Sequence, residues 1–509
     1  MSRIIYIILF AGIVIGSYFL SMESKINDCS DLLKNIHEKE AVFTKQDILE
    51  EIKKIDPEEK KSKEIIEKTL KEAEFVGNDK SGEKLYTSKK YKKLEKAVLS
   101  KFKKLLTYEN KNRPSSQTIQ VVLKKYSFLN AEQKEAITKI CGSKMSVNIL
   151  IGRAGSGKTT TIKAISEIYK DRGLRVIGMS LSSLASENLG KAAEIESNSI
   201  DYWIYHKWIG QSKKKLSQGD VIIVDEAGMI GTEHWKKILT ATSRFKLKLI
   251  IVGDSEQFKP ISAGDCFRLF LGETNYFELK QINRQKLDWM KKASIDFSEL
   301  KTKSALTRYK KNGKIKAVYD VAKHAPQKYI EFEKVGNSVI LCYTNDECRE
   351  INDAVRDIKK KNGDLGEDLF KLNGVSFAKK DKIMFLKNNK DFNIKNGQIG
   401  LIKSFSNNIL EVEINLKIKN IDILDYDKID HAYAITLHKS QGKTFDNVIV
   451  VGNPKMDSKA FYVAMTRHSQ DVELFYRKSD FKNFDDLIAS ASKYNFKSSL
   501  VDFTFCRDS

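Results

Sequence analysis

Cysteine is scarce and scattered in this chain. Six occur in 509 residues (Cys29, Cys141, Cys266, Cys342, Cys348 and Cys506), and no two have C-x-x-C spacing. A chain this long is not a disulfide scaffold, so reduced thiols in a cytoplasmic compartment are expected. Histidine is nearly as rare, with seven residues and no H-x-H, H-E-x-x-H or Cys–His finger pattern. Such spacing excludes a motif-defined zinc site and a metal–histidine nuclease. No internal repeat is present. What remains is a globular composition, 41% hydrophobic and 10% aromatic, long enough for about two to four domains. The formal charge is +22. Two readings of that excess stay open: a polyanionic partner whose phosphates meet Lys and Arg, or lysine usage imposed by an AT-rich genome.

The N-terminus carries one long apolar run, Ile4 to Leu20, free of charge and preceded by Arg3. Its length is about the minimum for a bilayer-spanning helix. No A-x-A cleavage site follows it. A membrane anchor, a signal peptide and a leftover of gene rearrangement compete. Of these, hydropathy favours the anchor.

From about residue 27 to 118 the chain is Lys-rich with mostly helical periodicity. Thr44 followed by Asp47 marks a helix start, and Leu85–Ser88 reads as a short strand before a helix through Leu94 and Val98. A winged-helix-like unit and a plain helical spacer both fit. Asn112–Ser116 (NRPSS) is the best linker signal. Beyond Phe128, short apolar runs alternate with helical stretches: Val147–Ile151, Arg175–Met179, Val221–Val224 and Leu249–Val252, then Ser338–Tyr343, Asp446–Val451 and Val472–Tyr476. This pattern predicts an α/β fold with parallel sheets in two domains. Between the two sets, Val375–Ile423 alternates with period two and is rich in turns, which predicts a small β-barrel insert.

The chemistry begins at Gly152–Thr159, GRAGSGKT, a full G-x-x-x-x-G-K-[ST] match between a strand and a helix. Gly152, Gly155, Ser156, Gly157 and Thr160 belong to a loop whose backbone N–H groups close round phosphate oxygens at a helix N-terminus. Lys158 is expected to neutralise the β- and γ-phosphates of ATP and Thr159 to ligate Mg²⁺. About 65 residues on, the strand VIIV delivers Asp225 and Glu226 to its C-terminal end, where ligands sit in open α/β sheets. Asp225 is the second Mg²⁺ ligand and Glu226 the residue that polarises the attacking water. A third strand ends in GDSEQ, which places Gln257 near the γ-phosphate.

In this order and spacing the elements resemble the superfamily 1 helicases, more narrowly their RecD-like branch. FLNAEQ (Phe128–Gln133) resembles the adenine-reading segment, with Gln133 as reader. GMSLSSLASENL (Gly178–Leu189) resembles the first DNA-contacting segment. GDSEQFKPISAGDCFRLF, ELKQINRQKLDWMKKAS, AITLHKSQGKT and VAMTRH match the later motifs. The Q-x-x-P-I-x-A-G-x-x-F-R and R-Q-x-x-D-W-x-x-x-A-S runs narrow the likeness to the helicase half of TraA/MobA-type conjugative relaxases, over about residues 30–480.

The resemblance implies two RecA-like P-loop motor domains with an SH3-like β-barrel insert. It divides the chain into the apolar segment 1–25, a helical or winged-helix-like region 26–118, a first motor domain 119–276, a second built from 277–370 plus 430–509, and the insert 371–429. It assigns Arg284 to the γ-phosphate and makes Arg467 an arginine finger from the second domain. Ser180, Thr436, His438, Ser440 and Gln441 become contacts to single-stranded DNA, and Trp203 and Trp208 are stacking candidates that more often prove to be core. The relaxase nuclease is not carried over, since its histidine cluster is missing.

The resulting expectation is an ATP-dependent DNA helicase, moving 5′ to 3′, linked to conjugative transfer and working with a separate relaxase or transfer machinery. A RecD-like repair helicase is the nearest alternative. A membrane-tethered DNA-binding adaptor without ATP turnover is the alternative from another class.

Overall fold

A computed structural model describes residues 29–55, 62–79, 81–208, 216–494 and 498–504. The apolar run Ile4–Leu20 lies outside them. Among the described residues, no helix is long and apolar enough to cross a membrane.

The first large sheet has six parallel strands in the spatial order Glu196–Ser199, Val176–Ser180, Val221–Val224, Lys248–Gly253, Val147–Gly152, Phe277–Leu279. Its central strands are near-continuous β-branched and Leu runs because both faces are covered. Ile149, Ile222, Val224, Leu249 and Ile251 point into one core and Leu150, Val221, Ile223, Ile250 and Val252 into the other, the period-two alternation of a strand. Each buried aliphatic side chain contributes roughly 1.5–3 kcal/mol. Parallel pairing brings the C-terminal ends of Val147–Gly152, Val221–Val224 and Lys248–Gly253 to one edge of the sheet, so the phosphate loop, the paired acids and the GDSEQ segment become neighbours. The three-residue strand Phe277–Leu279 still belongs to this sheet, so the chain crosses to the next a few residues later than position 276.

The second sheet is also parallel, in the order Ala434–Thr436, Ser338–Cys342, Phe445–Gly452, His468–Arg477, Ile315–Val318. It too buries both faces.

The period-two segment forms an antiparallel sheet ordered Lys417–Asp422, Ile409–Ile414, Ile399–Ser406, Lys382–Phe385, Ile429–His431. The expected barrel is not closed: the first and last strands each pair on one side only. The remaining two strands, Asp368–Leu372 and Val375–Ala378, form a separate hairpin. It covers the insert's core by packing Phe370 on Phe405 of the antiparallel sheet, ring centroids 4.3 Å apart. The insert is fastened to the second sheet at buried Asp381, which accepts from Arg356 Nε (3.0 and 3.1 Å), the Tyr433 hydroxyl (2.8 Å) and the Ala378 N–H (2.6 Å).

The N-terminal region is no plain spacer. Helices Cys29–His37, Lys45–Ile55 and Ser62–Glu72 pack on a hairpin of Ala73–Asn78 and Lys84–Ser88, around Leu32, Leu33, Ile36, Phe43, Ile48, Ile52 and Ile65. The helix at Lys45 starts where predicted. Thr44 Oγ1 accepts from the Asp47 N–H at 3.2 Å, and Asp47 Oδ2 accepts from the Thr44 N–H at 2.7 Å.

Candidate nucleotide site

The phosphate loop takes the shape its glycines permit. Gly155 (φ +80°) and Gly157 (φ +83°) lie in the left-handed region, where a side chain is strained. Space is as decisive as φ. A Cβ on Gly155 would sit 2.5 Å from Arg284 Cβ, and one on Gly157 would sit 2.5 Å from Gln133 Nε2. The loop is therefore pressed between Gln133 on one side and Arg284 on the other. Gln133 is held by a capping box with Asn130, and its amide lies 3.4 Å from the Gly157 carbonyl oxygen. The Asn283 N–H donates to the Gly155 carbonyl at 2.8 Å.

Lys158 begins the helix Lys158–Asp171 and turns back into the loop, donating to the Gly152 and Arg153 carbonyls at 2.5 and 3.2 Å. Burial lowers its pKa, while the charges of Asp254 and Asp225 oppose the shift. Thr159 and Thr160 follow on the first turn. Asp225 and Glu226 leave the Val221–Val224 strand beside it. Asp225 accepts from the Glu226 N–H at 2.9 Å, and Glu226 adopts φ +54°. Burial and the neighbouring Asp225 charge push the Glu226 carboxyl up to about 7, with Arg467 and Lys158 pulling back.

The second sheet closes the site from the other side. Arg284 Nη1 donates to the Thr466 carbonyl at 2.8 Å and Arg467 Nε to the Val463 carbonyl at 3.1 Å. Burial and its neighbour Arg467 bring the Arg284 guanidinium down to about 9. Burial also lowers Arg467, against the attraction of Glu226. Gly442 of the QGKT turn approaches Glu226 so closely that a Cβ there would lie 2.9 Å from Oε1. Two crowded guanidinium groups and an ammonium beside a glycine cradle suit a polyphosphate. Consistent with this, Ser156 Oγ and Arg467 Nη2 are buried without a hydrogen-bond partner among the described residues. Asp225 with the Thr159 hydroxyl is an oxygen donor pair of the kind Mg²⁺ takes.

Gln257 lies one step away, its amide donating to Asp254 Oδ2 at 3.1 Å. The five residues read as DNA contacts are spread differently. Ser180 ends its strand, buried, with Oγ unpartnered among the described residues; Thr436 is buried; Ser440 is fully buried and donates to the Leu437 carbonyl at 2.6 Å. His438 stacks on Phe258, which follows GDSEQ after the strand Lys248–Gly253, centroids 4.4 Å apart. Gln441 Oε1 is buried without a partner among the described residues. Trp203 is core, fully buried under Arg175, and the Trp208 side chain lies outside the described residues.

Two residues not singled out from the sequence complete the cleft. The Tyr462 hydroxyl donates to Asp254 Oδ2 at 2.8 Å and accepts from the Ala154 N–H at 2.8 Å. Lys459, one helical turn earlier, donates to the Ser255 carbonyl at 2.8 Å. The only available sequence signal was that Tyr462 directly precedes VAMTRH.

Comparison with known proteins agrees with this geometry. The family described as AAA domain matches residues 128–320, and the UvrD-like helicase C-terminal domain matches 431–474. The conjugal transfer protein TraA of Agrobacterium fabrum is 32% identical over 438 residues, 83% of this chain and 39% of that protein. The RecBCD enzyme subunit RecD of Buchnera aphidicola is 25% identical, over 77% of this chain and 80% of that protein. Among solved structures, the Pif1 helicase of Candida albicans aligns over 74% of this chain and 99% of its own, with 15% identity and a TM-score of 0.45. The chain spans about two fifths of the length of the TraA proteins it matches. With both family matches falling on the two parallel sheets that form the cleft, the chain resembles the superfamily 1 helicases of the RecD-like branch and the TraA conjugal transfer proteins.

Proposed function

We propose that this chain is an ATP-hydrolysing helicase that translocates on single-stranded DNA from 5′ to 3′ and serves conjugative DNA transfer. The observation that carries it is the two-sided site: Lys158, Asp225 and Glu226 on the first sheet face Arg467 on the second, with Arg284 bonded across the boundary to Thr466. A nucleotide held there touches both sheets, so its cleavage changes what holds them together. Bound ATP with Mg²⁺ supplies the γ-phosphoryl group and the metal's share of charge neutralisation. Asp225 and the Thr159 hydroxyl hold the metal. Gln133 orients the base, while the loop N–H groups and Lys158 hold the phosphates. Glu226 takes up the proton of the attacking water, and Arg284 and Arg467 offset charge on the transferred group. Of the five residues read as DNA contacts, His438 and Gln441 keep open surface and mark the DNA track, which the +22 charge favours; Ser180, Thr436 and Ser440 are buried, and the Ser440 hydroxyl is spent on the Leu437 carbonyl, so these three support the track from beneath instead of touching DNA.

This reading treats as separate units 26–118, a first motor domain from 119 through Arg284, a second from there to 370 plus 430–509, and the insert 371–429. Its partners are single-stranded DNA, a relaxase with its transfer machinery, and a membrane if residues 4–20 act as an anchor. The match to RecD over 80% of that protein keeps a repair helicase as the second reading.

The test is hydrolysis and unwinding by the purified chain. Single-stranded DNA should raise the ATPase rate, Lys158→Ala should abolish it, and a duplex with a 5′ tail should be unwound while a 3′-tailed one is not. An ATPase indifferent to DNA would sink the motor reading, and unwinding from the 3′ tail alone would reverse the polarity.

A further inference from the structure

One helix of the second sheet, Ser458–Met465, reaches into the first sheet's site at two points one turn apart. Lys459 and Tyr462 are three residues apart and so share a face. Lys459 holds the Ser255 carbonyl, and Tyr462 holds both Asp254 and the Ala154 N–H. Asp254 is itself the acceptor for Gln257 Nε2 at 3.1 Å, and its other oxygen accepts from the Glu256 N–H at 3.1 Å. The result is a continuous chain of hydrogen bonds: Gln257 amide, Asp254 carboxylate, Tyr462 hydroxyl, Ala154 N–H.

We propose that Tyr462 is a positioning residue that transmits the state of the Gln257–Asp254 pair to the phosphate loop, so that sensing the γ-phosphate and gripping it are one event. The proposal rests on the ATPase reading above. Three features carry it. First, the phenol belongs to the opposite sheet from both of its partners, so the relay exists only while the cleft is closed at this point. Second, the hydroxyl is fully committed. It donates its proton to Asp254 and accepts from Ala154, and burial with the Asp254 charge raises its pKa well above that of a free phenol, so the donor is always present. Third, Ala154 lies between Arg153 and Gly155, on the arm of the loop opposite Lys158. Its N–H is thereby withdrawn from the phosphate-binding set and used instead to fix where that arm stands. A shift of the Gln257 amide toward a phosphate oxygen pulls on Asp254 and, through it, on the loop.

Tyr462→Phe keeps the ring and removes both bonds. The expected result in DNA-stimulated hydrolysis is a fall in kcat of about tenfold or more with KM within about threefold, because the loss falls on alignment rather than on ground-state binding. The coupling is read by adding Gln257→Ala and following single-turnover hydrolysis. In a relay the second change costs less than about twofold in the Tyr462→Phe background, whereas independent roles multiply. A Tyr462→Phe protein with unchanged kcat, or with a lower melting temperature and kcat retained, overturns the relay, as do multiplying losses. A wild-type chain without DNA-stimulated hydrolysis removes the ATPase reading and the relay together. Wild-type turnover matched by Tyr462→Phe removes the relay alone.

Discussion

Two seams tie the second half of this chain to the first, and they are built from opposite materials. The nucleotide cleft is a polar seam: Arg284 to the Thr466 carbonyl, Gln285 to the His468 carbonyl at 3.4 Å, Tyr462 to Asp254 and Ala154, Lys459 to Ser255. The other seam is a strap. Residues 498–504 fold back against the N-terminal helix Lys89–Leu106 and the start of the helix Cys266–Glu273. There Leu500 is buried in the first sheet's core with Leu85, Tyr91, Leu94 and Val98, and Phe503 packs against the same cluster. Arg268 Nη2 reaches Asp502 at 2.7 Å, the Asp265 N–H reaches Ser499 Oγ at 3.3 Å, and the Leu500 N–H donates to Glu95 Oε1 at 2.8 Å. Hydrogen bonds exchange with water at a net of only about 1 kcal/mol each, so a seam of them opens and closes cheaply. Buried Leu and Phe do not separate from a core at that cost. The difference leads us to expect motion at the cleft and permanence at the strap.

The sharpest way to break the comparison is to damage each seam and ask what is lost. Arg467→Ala should lower kcat by about 10³-fold, the low end for a missing arginine finger, while the melting temperature stays near wild type. Part of that guanidinium is buried without a partner, so its removal exposes no unmet acceptor beyond the Val463 carbonyl. Steady-state ATPase with a thermal melt checks both. A protein that loses its fold instead would make Arg467 structural and blur the two seams into one. Leu500→Ala should do the reverse: a loss of about 2–3 kcal/mol in denaturant unfolding, with the DNA-stimulated kcat within about twofold. A large kcat loss in that variant would show that the strap, too, works in the cycle.

How much of this was legible in the sequence follows from how far apart the cooperating residues lie. The phosphate loop and the paired acids are contiguous motifs at the ends of apolar strands, so both the strand positions and the chemistry could be read directly. Arg284 and Arg467 came through resemblance, and the fold carries them to the same cleft. Tyr462 could not be read. It is one of 19 tyrosines, and its partners lie 208 and 308 positions away. Neither could the strap, because its short apolar run (Leu500, Val501, Phe503) meets partners such as Glu95, 405 positions away, that nothing in the local pattern identifies. Alternation in Lys382–Ile414 correctly marks strands, but closure into a barrel depends on stagger between strands, which period two does not encode. Asn112–Ser116, read as a linker, does separate helix Lys89–Leu106 from helix Ser116–Lys125. Trp203 shows the limit for single aromatics, since a base-stacking indole and a buried one look alike until burial is known.

The finest test of the comparison is pH, because the strap contains a titrating group. Burial pushes the Glu95 carboxyl up from 4.5 to about 7, against the Leu500 and Val501 N–H groups that favour its charged form, with Asp502 raising it further and Arg268 lowering it. Its folded pKa lies above its unfolded one, so between those values the folded protein binds more protons than the unfolded. By linkage, this group's contribution to stability is full below about 4.5, falls as pH rises, and is gone above about 7. Other carboxylates change in the opposite sense over part of that range, so the difference between two proteins is the quantity to follow. Glu95→Gln keeps an acceptor for the Leu500 N–H and cannot ionise. The melting temperature of Glu95→Gln minus that of wild type should therefore grow from pH 5 to pH 8. Because Glu95 is far from the phosphates, the ATPase pH profile of the two proteins should coincide. A difference that stays flat across the range would mean the strap carries no proton-linked energy, leaving apolar burial and the Arg268–Asp502 pair to hold this seam alone.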